Sequence, residues 1–116
     1  MKTLLIMLCI AAMAFFTTGC EQNFFTATVI ENNVTSLLVE PAPGAAELKS
    51  ADRIIVSLQD AKLLDSQGSK IKASEFEVDH LVEITYTGSV AESYPAQING
   101  TTEVRIKGYI YRGGGN

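Results

Sequence analysis

Alternation with a period of two runs through this chain and is cleanest in Leu81 to Thr87 (LVEITYT), where Val82, Ile84 and Tyr86 alternate with Glu83, Thr85 and Thr87. Successive side chains of an extended strand point to opposite faces, so this spacing makes one apolar face and one polar face and is wrong for a helix. The same signature predicts strands at Phe24 to Glu31 (FFTATVIE), Val34 to Glu40 (VTSLLVE), Arg53 to Leu58 (RIIVSL) and Thr102 to Tyr111 (TEVRIKGYIY), with a shorter extended piece at Ala61 to Leu64. Only Asn32-Asn33 separates the first two, and asparagine tolerates the left-handed backbone of a tight turn, so these strands are expected to form a hairpin. Pro41, Pro43 and Gly44 end the second strand and open a polar loop reaching Asp52. Ser66 to Ser69 reads as a turn, and Lys72 to Phe76 (KASEF) as one helical turn whose Glu75 favours the N-terminal end. Gly88 closes the Leu81 strand, and Gly108 marks a bulge within the last one. Five strands with a single helical turn between the third and fourth describe an all-β fold, a small five-stranded OB-like Greek-key barrel. The same count fits other small β-barrels and sandwiches.

The first twenty residues, MKTLLIMLCIAAMAFFTTGC, follow a different logic. Lys2 makes a positive n-region, and the thirteen uncharged residues Leu4 to Phe16 are too few to span a bilayer, which takes about 20 apolar residues. Thr17-Thr18-Gly19-Cys20 then resembles a lipobox, with Gly19 and Cys20 matching it and Thr17 standing where leucine is usual. The expected organisation is a lipoprotein signal peptide over 1–19 and a lipidated Cys20 with a short tether over 20–23. The OB-like domain follows over 24–112, then a disordered Gly-rich tail over 113–116. More than one acyl chain at Cys20 would hold the domain on the extracytoplasmic face of the cell membrane, because a single chain binds only marginally. Without lipidation the chain would be secreted, with a free and reactive thiol at Cys20.

Composition matters once that signal is set aside. Cys9 leaves with the peptide and Cys20 goes to lipid, so disulfides, thiol catalysis and cysteine metal sites are excluded from the mature domain. Without Lys2, eight Lys and Arg stand against thirteen Asp and Glu, a net charge of −5. That balance argues against nucleic acid, which needs clustered positive charge. No aromatic lies between Phe25 and Phe76, so a base-stacking platform on the second and third strands is not expected either.

Four segments together, SLLVEP (Ser36 to Pro41), DRIIVSL (Asp52 to Leu58), FEVDHLVEITYTG (Phe76 to Gly88) and above all ESYPAQI (Glu92 to Ile98), resemble a family of small lipoproteins and secreted proteins. These come mainly from Gram-positive bacteria, are classed as a domain of unknown function, and have an OB-like fold. The resemblance implies fold and location and brings no activity with it. The family tends to carry Gly-Asp before its fourth strand, at a turn needing an unusual backbone angle. Here Asp79-His80 stands there, and aspartate reaches the left-handed region at some cost.

No catalytic set, metal site or cofactor is expected. His80, the one histidine, is read as an exposed turn residue, with Glu77 and Asp79 as the carboxylates a metal or acid-base role would draw on. Asp79, Glu83, Glu92 and Glu103 would make at most a weak cation site, since no acidic loop of the EF-hand type is present. Ser93 has no G-x-S-x-G elbow around it. Within ESYPAQI, Glu92 and Ser93 are expected to cap the loop, Tyr94 to lie across the barrel end with its hydroxyl bonded, and Pro95 to fix the entry to the last strands. The alternative is a ligand or partner loop of Glu92, Ser93, Tyr94, Pro95 and Gln97, and Tyr94 with Tyr109 and Tyr111 would then make an exposed aromatic patch. The functional expectation is a monomeric, non-catalytic, membrane-anchored binding or accessory module for an envelope protein or cell-wall component. A structural or assembly factor of an envelope complex is the alternative, and a hydrolase using Glu92, Asp79 and His80 a third.

Overall fold

The computed structural model describes residues 22–109. The expected signal peptide (1–19), the lipidation site Cys20 and the Gly-rich tail (113–116) lie outside the described residues. Seven strands form one sheet: β1 (Asn23–Asn32), β2 (Ser36–Pro41), β3 (Ile54–Ser57), β4 (Lys62–Leu64), β5 (His80–Tyr86), β6 (Ala96–Ile98) and β7 (Thr101–Tyr109). Their order across the sheet is β4-β7-β5-β1-β2-β3-β6. The contacts β3/β6 and β4/β7 are parallel and the other four antiparallel.

The chain is therefore all-β as expected, with seven strands in place of five. One added strand is β4, the short piece at Ala61 to Leu64, which reaches the sheet by pairing Lys62 to Leu64 with Glu103 to Arg105. The other is β6, where Ala96 to Ile98 bonds to β3 before Asn99-Gly100 redirects the chain into β7. A run of three residues is too short for periodicity to reveal, and only its partner strand makes it a strand.

β1 carries the architecture. Its first six residues, Asn23 to Thr28, pair with β5, and Ala27 to Asn32 pairs with β2, with a bulge between Val29 and Glu31. Inward positions recur every second residue: Phe25, Ala27 and Val29 on β1, Leu37 and Val39 on β2, Ile54 and Val56 on β3. Val82, Ile84 and Tyr86 on β5, Ala96 and Ile98 on β6 and Val104 on β7 complete one shared core, with Phe76 joining it from the segment before β5. That is the face expected from the alternation in Leu81 to Thr87.

The β1–β2 connection departs from the expected Asn32-Asn33 turn. Asn32 stays in β1, and the positive φ of +73° falls on Val34, a branched residue for which that region is strained. The reason is the Asn32 carboxamide. Its Oδ1 accepts the Val34 N–H at 2.7 Å, and its Nδ2 donates to the carbonyls of Ala73 and Phe76, both at 2.8 Å. One side chain thus closes the hairpin and ties it to the 3-10 turn Ala73–Glu75, which lies within the predicted helical turn. Within that turn the Glu75 carboxylate accepts the Lys72 N–H at 3.3 Å. Asp79 takes φ +74°, so the left-handed residue expected before β5 is present with aspartate in it. Opposite the start of β5 the ladder skips Lys107 between the pairs Val82–Ile106 and Leu81–Gly108, which is the expected bulge, with Gly108 at φ +149°.

Candidate functional site

The ESYPAQI segment is a loop pinched at its base. The Ala91 N–H donates to the Gln97 carbonyl at 2.7 Å and the Gln97 N–H returns to the Ala91 carbonyl at 3.2 Å. Inside the pinch the Ser93 hydroxyl donates to the Pro95 carbonyl at 2.8 Å, the capping role expected of it. The Tyr94–Pro95 peptide is cis. A further bond from the Ala96 N–H to the Arg53 carbonyl, 3.1 Å, seats the loop on the start of β3.

Tyr94 is 71% exposed, so the expected ring lying across the barrel end is not what forms. Its hydroxyl is bonded nonetheless, donating to Asp52 Oδ1 at 2.9 Å. That bond to a carboxylate raises the Tyr94 pKa above the ordinary phenol value, because ionising the ring would place two negative charges together. Arg53 completes the surroundings, 3.5 Å from the Glu40 carboxylate across β2/β3 and 3.0 Å from the Asp52 carbonyl. Beside this group runs a cross-strand row on the outer face, Leu38 opposite Ile55 and Ile55 opposite Gln97. Leu38 and Ile55 are half-buried and Gln97 is exposed. An anchored aromatic, two aliphatics, an amide and an ion pair thus share one surface, built on paired strands.

Of the residues expected in a partner loop, Ser93, Tyr94, Pro95 and Gln97 are brought together around the pinch, and Glu92 is exposed on the same loop. The expected aromatic patch does not assemble among the described residues, where the ring contacts are Phe25 with Tyr86 and His80 with Tyr109; Tyr111 lies outside them. The hydrolase trio does not assemble either. Asp79 and His80 stand at the start of β5 and Glu92 follows its end, and seven strand residues set its two ends about 20 Å apart.

His80 corrects the expectation of an exposed turn residue, being 7% exposed. Its Nδ1 accepts the Glu77 N–H at 2.9 Å, and its ring packs on Tyr109 with centroids 4.3 Å apart. Tyr109 in turn donates to Glu77 Oε1 at 2.6 Å, a bond that raises its own pKa. Accepting at Nδ1 assigns the neutral ring's proton to Nε2, so His80 serves as a structural acceptor that fastens the turn into β5. Among the described residues no group of three His, Cys, Asp or Glu gathers to hold a metal, and Glu103 is instead 3.5 Å from Arg105.

One interacting group escaped the sequence reading. Glu47, in the 3-10 turn Ala46–Lys49 of the expected polar loop, is buried, and Oε2 accepts the Tyr86 hydroxyl at 2.7 Å. Burial pushes the Tyr86 pKa up to about 12, and the bond to Glu47 and its charge add to the effect. A single glutamate among alanines carries no periodic signal of burial, so nothing in the sequence marked it. No family model, curated protein or solved structure matches this chain.

Proposed function

We propose that this chain is a lipid-anchored, non-catalytic binding module of the bacterial cell envelope, with an OB-like barrel presenting the ESYPAQI loop to an envelope protein or cell-wall component. Connectivity supports the barrel. β6 and β7 sit five strand spacings apart in the ladder order, about 24 Å if the sheet were flat. Only Asn99-Gly100 joins them, and the step from Ile98 to Thr101 covers at most about 11 Å. So short a link favours a sheet curled enough to bring β6 near β7, the two acting as one bent closing strand. Merging them and treating β4 as an edge addition returns the five-strand count.

The observation that carries the binding role is Tyr94. An exposed tyrosine held by a carboxylate has little freedom left to lose when a partner arrives, and rigid aromatics beside aliphatic neighbours are the usual energetic centres of interfaces. The Leu38–Ile55–Gln97 row supplies such neighbours, and the Arg53–Glu40 pair supplies a polar rim. The lipid anchor rests on Lys2, the apolar run and Gly19-Cys20, and β1 begins only three residues after Cys20, which holds the module close to the membrane.

The test is capture from a solubilised envelope fraction with the wild-type chain and with Tyr94→Ala as baits. A specific partner retained by the wild type should fall about tenfold with the variant, as for loss of a central aromatic contact. Equal capture by both would reject this surface.

A further inference from the structure

A second surface, at the other end of β1 from the hairpin turn, has the properties of a small-molecule site. An open groove of about 510 Å³ runs between the first residues of β1 and the loop that follows β2. That volume is in the range of small-ligand sites. Its walls include Phe24, Phe25, Pro43, Ala45 and Glu47.

The charge of the lining is one-sided. Eleven residues line the groove, with Glu47 the one ionisable side chain and no lysine, arginine or histidine among them. Backbone donors are scarce as well. Pro43 has none, the Ala42 N–H is committed to the Thr26 carbonyl at 2.9 Å, and the Ala45 N–H to the Ala42 carbonyl at 3.0 Å. The side chains of Gln22, Asn23 and Thr26 are neutral, so the one charge of the lining disfavours an anion and favours a cation.

That carboxylate is also incompletely used. Glu47 is 9% exposed, and among the described residues its side chain has the Tyr86 hydroxyl as its hydrogen-bond partner and no cation. An ionised carboxylate accepts about four hydrogen bonds, so one phenol leaves most of its capacity open while fixing its orientation. A buried carboxylate without a positive partner is costly, and a ligand that supplies one is correspondingly favoured. Phe24, 68% exposed, is also part of the lining. One carboxylate is too few for a divalent metal, which takes six or more oxygens.

The geometry points to an alkylammonium site: Glu47 receives a primary ammonium group, and the walls that include Phe24, Pro43 and Ala45 flank its short carbon chain. The site shares no residue with the ESYPAQI surface, so it stands or falls separately from the proposed partner binding.

Amide-detected NMR titration of the full chain in maltoside micelles, which carry no amine, provides the test. n-Butylamine should shift the amides of 22–26 and 42–47, while 1-butanol and butyrate, of nearly the same shape, should bind at least about tenfold more weakly. Glu47→Gln keeps an acceptor for Tyr86 and should weaken butylamine about tenfold. Should that variant fail to fold, Phe24→Ala, at an exposed position, should still weaken it several-fold. Equal affinity for the alcohol, shifts confined to other residues, or unchanged binding by whichever variant folds would overturn the assignment.

Discussion

Two side chains do more for this fold than their type suggests. Asn32 satisfies two carbonyls and one N–H across segments more than forty residues apart, and no other polar side chain in this part of the molecule replaces it. Asn32→Ala should cost about 2 kcal/mol, the sum of lost bonds and stranded carbonyls, read as a lower urea midpoint. A loss under about 0.5 kcal/mol would mean water takes over its role. Tyr86 gives a pH signature. Its folded pKa is raised from 10.0 to about 12, so the native state prefers the neutral phenol. The resulting stability is complete below the unfolded value of 10.0 and disappears as pH rises toward 12. Urea midpoints for the wild type should therefore fall across that interval more steeply than those of Tyr86→Phe. Parallel curves would contradict the Tyr86–Glu47 contact.

At the scale of elements, strands with a clean alternation were readable and those defined by their partners were not. Leu81 to Thr87 announced β5, with its buried face correct to Tyr86, because a sheet with one covered face imposes period two on the sequence. β6 is three residues long and exists through its ladder with β3, which no local pattern encodes. The candidate site divides the same way. ESYPAQI stood out as a segment, yet the partner that fixes Tyr94 is Asp52, 42 residues earlier, and the partner of Tyr86 is Glu47, 39 residues earlier. His80 read as exposed because a lone histidine between acidic residues looks like a solvated turn; the Tyr109 ring that covers it arrives from another strand. The turn between β6 and β7 leaves no room for a side chain at Gly100. A Cβ at Gly100 would lie 2.3 Å from the Thr87 carbonyl oxygen, and that backbone is held by the Thr87 N–H to Gly100 carbonyl bond of 2.9 Å. Gly100→Ala should therefore cost more than about 2 kcal/mol in the same assay, since main chain has to move, and a neutral result would place the strand crossing further apart than described.

At the scale of the whole molecule, the proposed arrangement is an acidic β module held on a membrane by a lipid at Cys20. Only Glu21 and Gln22 stand between Cys20 and β1, so under the proposed lipidation a surface near the start of β1 would face a narrow zone above the bilayer. The alkylammonium groove opens there, lined from Gln22 onward. The ESYPAQI surface belongs to β3 and β6, at the opposite end of the strand order from β4, and is the one a partner would meet. The proposed envelope role presupposes the anchor, which makes its chemistry the most direct check on that role. Mass spectrometry of the N-terminus of protein purified from host membranes should find Cys20 as the first residue, carrying a diacylglyceryl group, and Cys20→Ala should abolish the modification and release the protein from the membrane fraction. An unmodified Cys20, or a mature N-terminus elsewhere in the wild type, would contradict it.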